Sequence, residues 1–274
     1  MAVYTAIDDP EAYFQVKTYT GNATDDTVIT LDGDTDMQPA LIWIKNSSTT
    51  DSHHLVSVPG TAVAKRLRTD TTGAVGDQSD GVKSIQSDGF TIGTTGSLNG
   101  SGNSIVAWCW TEAHSLSAVP HVMIVKVLNN ADNWMVYHHK MASDPETDYL
   151  QLNTTAAKGD SAGIWNDTAP TSSVFSLGNS GTVNEGYNYV AYLWSEKQGF
   201  SKFGSYTGNG DADGAFVYTG FKPAWLMVKK TNDAKGWHIH DNARPGYNPS
   251  TNKLSADSSA VEATSSEYIL DLLS

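Results

Sequence analysis

Three times along the chain a proline opens an apolar run that closes on a lysine: Pro39 begins PALIWIK, Pro120 begins PHVMIVK and Pro223 begins PAWLMVK. An internal repeat constrains the fold more tightly than composition does, because each copy must bury its apolar faces against a neighbour. The first two copies run on to aromatic closing segments, IVAWCWTE ending at Glu112 and YVAYLWSE ending at Glu196. From opening proline to closing tryptophan is 71 residues in the first (110 − 39) and 74 in the second (194 − 120). The third copy reaches Ser274, which aligns with Ser87, so a stretch like 88–112 has no counterpart in it. The expectation is that this unit is completed by a partner chain or by residues beyond Ser274.

The apolar runs are short, bounded by Pro, Gly or Asn and rich in Val, Ile, Trp and Tyr, which are strand signals. In the first unit strands are expected at 17–22, 39–45, 53–58, 65–68, 87–93 and 104–110. The second should use 120–126, 133–138, 149–153, 174–178 and 188–194, and the third 204–209, 223–229, 236–241 and 252–257. PALIWIK and IVAWCW are almost continuously apolar, as strands covered on both faces are, while KTYT and HHLVSV alternate like half-exposed strands. Asp9-Pro10-Glu11 offers an N-cap, a proline at the first helical position and an acid, so a turn or two of helix is expected there. The tail at 258–273 reads as a loop with at most a short helix. The expected class is all-β, with little helix and tandem β-sandwich units of jelly-roll or concanavalin-like type. The units are 1–113, 114–197 lacking its first strand, and 198–274 incomplete at its C-terminal end.

Only 17% of residues are charged, yet the net charge is −13, which repels phosphate backbones and argues against nucleic acid as a partner. The single cysteine, Cys109, lies inside an apolar strand and reads as core, and one cysteine allows no disulfide within the chain. No basic and apolar leader follows Met1, and no apolar stretch is long enough for a membrane span, so assembly in a cytosol without membrane insertion is expected.

Few residues carry chemistry. His53-His54, His138-His139 and His238-Ile239-His240 fall on equivalent strands, but a metal site needs three or four converging ligands, and a half-exposed strand with a recurring amphipathic position is the stronger reading. Asp32, Asp34 and Asp36 in LDGDTDM, and Asp211 and Asp213 in NGDADG, alternate as calcium ligands can. An EF-hand would need glycine and glutamate where Met37 and Trp43 stand, so a solvated acidic turn is the stronger reading. Trp134 and Trp237 open equivalent strands, where core packing is the stronger reading; with His238, His240, Asp241 and Arg244 nearby they are also the candidates for a glycan platform or protein interface. Glu112 and Glu196 are equivalent repeat positions and not an acid pair within one site. No nucleophile elbow, phosphate loop or zinc-protease motif occurs, so catalysis and cofactors are not expected.

SYTGNG, GFKPAWLMVK, WHIHDNAR and YILDLLS, together with IDDPEAYFQVKTYTGN, SDGFTIG and YVAYLW, resemble repeated modules of tailed-bacteriophage tail-fibre, decoration and other virion proteins. The resemblance covers nearly the whole chain. It implies a concanavalin-like sandwich and a virion structural role in capsid, tail or fibre, with assembly in the host cytoplasm. Expected partners are other virion proteins and further copies of the chain, a trimer being the anticipated form. The alternative it leaves open is a lectin-like module that recognises host surface glycan.

Overall fold

The computed structural model describes residues 7–58, 63–112, 118–211, 213–244, 248–264 and 269–273. The expected junction at 113–114 lies outside them. The first unit contains β1 (Phe14–Thr20), β2 (Thr27–Ile29), β3 (Leu41–Asn46), β4 (His54–Ser57), β5 (Lys65–Arg66), β6 (Gly76–Asp77), β7 (Val82–Gln86), β8 (Gly89–Ile92) and β9 (Ser104–Trp110). A 3-10 turn at Pro10–Ala12, capped by the Asp9 side chain, precedes β1, and a short helix α1 (Gly96–Asn99) precedes β9. Strand order is β1-β9-β3-β4 in one sheet and β2-β8-β7 in the sheet facing it.

Alternation along β3 and β9 divides their side chains between two cores. Ile42, Ile44, Ile105, Ala107 and Cys109 point toward the small sheet and meet Ile29, Phe90, Ile92 and Leu98. Trp43, Val106 and Trp108 point the other way, into a core shared with the second and third units. Both faces are covered, which is why these strands read as unbroken apolar runs. HHLVSV was expected to be half-exposed; β4 and His53 are instead buried, because the small sheet covers Val56 while Ser255 of the third unit and Tyr192 of the second reach His53 and Ser57.

The second unit holds β10 (Val122–Val127), β11 (Met135–His138), β12 (Asp148–Gln151), β13 (Gly159–Asp160), a short helix α2 (Ala162–Trp165) and β14 (Tyr189–Trp194). The third holds β15 (Trp225–Val228), β16 (His238–Asp241), β17 (Asn252–Ser255) and β18 (Ala263–Thr264). Their sheets run β13-β12-β11-β10-β14 and β15-β16-β17-β18, all antiparallel. The chain is therefore a tandem all-β repeat. Two expected strands do not form. Residues 174–178 join no sheet, since their counterpart β8 is held by β2 and β7, which the second sheet lacks; Val174 O accepts from Thr171 N and Gly178 N donates to Ile164 O instead. Residues 204–209 likewise join no sheet, because their counterpart β1 pairs with β9, and the described residues of the third unit include no such strand.

Register places Leu41, Val122 and Trp225 at one repeat position, and His53, Trp134 and Trp237 at another. Equivalent hydrogen bonds then link the units in cyclic order. Val75 N donates to Leu128 O, Lys158 N to Thr231 O and Glu262 N to Ser47 O, each at 2.8 Å. Trp134 Nε1 donates to Arg68 O (3.1 Å), Trp237 Nε1 to Gln151 O (2.9 Å) and His53 Nε2 to Ser255 O (2.9 Å). The second unit thus binds the first, the third binds the second and the first binds the third. Three units close on one another as a ring within one chain.

Trp134 has no exposed surface, and its Nε1 also lies 3.2 Å from Thr71 O. Trp134→Phe keeps most of the packing and removes only the donor. It is expected to cost about 1–3 kcal/mol, the penalty for leaving buried carbonyls short of a partner, read as a shift in the urea midpoint.

Candidate functional site

The buried polar groups concentrate where units meet. Trp108 of β9 donates from Nε1 to Asp241 Oδ2 at 3.0 Å, joining the first unit to the third. Asp241 also accepts from Arg244 Nε at 2.7 Å and from the backbone N–H groups of Ala243 and Arg244. Arg244 reaches Glu262 Oε1 and Ile239 O, with its guanidinium 5.9 Å from the Trp108 ring centroid. The next seam repeats the pattern in neutral form: Tyr192, at the Trp108 position of β14, meets Ser57 Oγ at 3.0 Å. Ser57, His138 and Asp241 share one repeat position, so His138 is the third member.

The six residues proposed for glycan binding or an interface are placed as follows. Trp134, Trp237, His240, Asp241 and Arg244 are buried and His238 is half-buried, so neither tryptophan presents a ring face to solvent. They lie in contacts between units or beside them. Asp241 and Arg244 do come together; the glutamate that completes their network, Glu262, and the donor Trp108 were not anticipated. The repeat aligns Trp108 with Tyr192 and Asp241 with Ser57, but only the fold shows that these positions meet.

The histidines sit in seams and do not converge. His53 Nδ1 accepts from Trp43 Nε1 at 2.8 Å while Nε2 donates to Ser255 O, so its neutral form satisfies both nitrogens. Burial, with Lys45 nearby, lowers its pKa to about 3. His54 accepts from Arg66 Nη1 at 2.7 Å, and burial followed by the two arginines holds its pKa well below the ordinary value. Burial lowers His138, His238 and His240 each to about 4. The repeat lysines Lys45 and Lys126 are fully buried, and desolvation lowers each to about 8. Lys126 Nζ donates to Thr72 O and Lys229 Nζ to Thr155 O, both at 3.1 Å, tying each opening strand to the preceding unit.

Among the described residues no group of three or more His, Cys, Asp or Glu is placed to hold a metal ion. Asp32, Asp34 and Asp36 are exposed, and Asp32 pairs with Lys17. Asp211 and Asp213 belong to a turn that closes on itself: Asp211 N donates to Asn209 Oδ1 and Asp213 N to Asp211 Oδ1. Cys109 is fully buried, and burial pushes its thiol pKa up. Its reaction with a disulfide reagent is expected to be at least ~1,000-fold slower in the native protein than in denaturant, since exposure requires unfolding.

Fold and seams together define a tandem all-β repeat protein whose units close on one another through buried polar contacts. The chain belongs to the family described as a domain of unknown function (DUF7483), whose model matches residues 9–113 and again 111–274. The second match runs across both the second and third sheets. No curated protein and no solved structure matches the chain.

Proposed function

We propose that the protein is a structural component of a tailed-bacteriophage virion, acting by protein–protein assembly without a catalytic step. The observation that carries this reading is where its functional groups are spent. Buried His53, Lys126 and Asp241 bind one unit to the next, while large apolar side chains are left on the surface ahead of the third sheet. Phe216 is 79% exposed, Tyr218 78% and Tyr206 56%. Exposed apolar side chains of this size, in a unit that also has an unpaired sheet edge, are the sort of surface that another protein covers. The net charge of −13 disfavours nucleic acid as that partner. The phage-module motifs supply the virion context. A lectin-like reading would have to rest on residues other than Trp134 and Trp237, whose rings are enclosed.

The test is association with particles. When the gene is expressed during a lytic infection by its phage, the chain should band with purified virions in fixed copy number and survive high-salt washing. Recovery only in the soluble fraction, with none in banded particles, would overturn the assignment.

A further inference from the structure

The outer edge of β15 is where the pairing scheme of the repeat is left open. β3 lies between β4 and β9, and β10 between β11 and β14, whereas β15 pairs with β16 alone among the described residues. Ser47 N donates to Ser104 O and Leu128 N to Asn188 O, and these bonds fix the alternation along the two opening strands. Backbone groups at 41, 43 and 45, and at 122, 124 and 126, therefore face the closing strand. Their counterparts on β15, Trp225 and Met227, turn N–H and C=O outward.

Three independent features fall beside this edge. Trp225 Nε1 is the one buried side-chain nitrogen or oxygen among the described residues without a hydrogen-bond partner. Next, the YTGN turn recurs without its contact. In the first unit Gly21 N donates to Asn103 O, and a Cβ there would sit 2.2 Å from Gly100 O, so only glycine fits. In the third unit Gly208 keeps the glycine, yet a Cβ there meets nothing within 4 Å. Last, the seam is unfinished. The closing strand of the first unit reaches Asp241 through Trp108, and that of the second reaches Ser57 through Tyr192. Cyclic order makes His138 the receptor for the aromatic of a third closing strand.

We propose that the outer edge of β15 docks an extended segment of another polypeptide, antiparallel, with a tryptophan or tyrosine opposite Met227 reaching His138. The proposal rests on the assembly reading and names the edge through which assembly runs. The chemistry of the occupant is set by residues 107–110 and 191–194, in which Ala, Cys or Leu alternates with Trp or Tyr. Its register is set by Trp43 opposite Trp108 and Ile124 opposite Tyr192, since Met227 is the counterpart of Trp43 and Ile124. A second copy of this chain does not offer the matching edge: β9 is paired on both sides, and the edge of β14 that fits an opening strand is already taken by β10.

The probe is a fluorescent peptide of residues 188–196 titrated with the full chain and followed by anisotropy. Saturable one-to-one binding is expected. N-methylation at the peptide positions of Val190 and Tyr192, whose N–H groups face the opening strand, should weaken binding about tenfold or more, as lost backbone hydrogen bonds require. Methylation at those of Ala191 and Leu193 should leave it unchanged. Met227→Pro, tolerable on an edge strand, should weaken binding equally. His138→Ala should do so only for a peptide that retains its tyrosine hydroxyl. No saturable binding, or equal loss from both methylated peptides, overturns the proposal. A dimer of the chain that Met227→Pro abolishes, without peptide binding, overturns it in favour of a second copy. Either result leaves the particle-banding test of the assembly role standing on its own.

Discussion

Mild acid is expected to unfold the protein, with stability falling steadily from pH 6.5 downward. His53 titrates near 6.5 in the unfolded chain and near 3 in the fold. Between those values the unfolded state holds the extra proton, so each pH unit removes about 1.4 kcal/mol of stability per such histidine. The cause is geometric as well as dielectric. Protonated His53 would turn an N–H toward the N–H of Trp43, and protonated His54 would face the guanidinium of Arg66. His240, buried beside Arg244, carries the same sign with a value near 4. His53 and His240 together remove roughly 3 kcal/mol per pH unit, with His54 adding in the same direction, against a typical domain stability of about 5–15 kcal/mol. Asp257, whose pKa burial raises, works in the opposite direction as a single group. Lys45 and Lys126 extend the trend upward: folded values near 8 against 10.5 mean that stability still rises with pH between those limits. Urea midpoints measured at pH 5, 6 and 7.5 read this directly. Midpoints that agree across the three would show that these histidines are not desolvated as described.

Much of this fold was legible in the repeat, and what escaped had physical reasons. PALIWIK and IVAWCW announced strands covered on both faces, and they are. GSYTGN and VFSLG carry strand-like patterns as good as those of their counterparts, but a strand is a property of a pair, and their partners are not in their units. VKSIQ was missed because a bulge between Val82 and Ser84 shifts Ile85 out of the period-two pattern. Equivalence of His53 with Trp134 and Trp237 was hidden by chemistry: a histidine replaces two tryptophans, yet all three donate a ring N–H to the same repeat carbonyl. No local pattern could show that these donors close a ring, because each bond joins residues of different units. The candidate site fared similarly. Asp241 and Arg244 were singled out from sequence, whereas Trp108 and Glu262 lie 133 and 18 residues from their partners in the network.

Asp241→Ala is expected to destabilise the protein by about 3–5 kcal/mol, the usual result of breaking a buried ion pair from one side. The carboxylate has no exposed surface and the arginine side chain only 3%. Removing it strands the Trp108 indole N–H, two backbone N–H groups and half the compensation of the Arg244 charge. Glu262 remains to Arg244, so the loss falls chiefly on the contact between the first and third units. Asp241→Asn retains an oxygen for Trp108 but not the charge, and should lie between alanine and wild type. The informative variant is the pair Asp241→Ala with Arg244→Met. If the cost comes from an uncompensated guanidinium, deleting it together with its partner should recover a large part of the loss, since apolar replacement of a buried ion pair is often neutral. If the double variant is instead as unstable as the sum of the singles, the seam is held by the hydrogen bonds of Trp108 and the 241–244 turn. Urea unfolding of the four proteins, analysed as a double-mutant cycle, decides between them. The Tyr192–Ser57 seam, neutral at the same repeat position, already shows that a charged pair is not required to join two of these units.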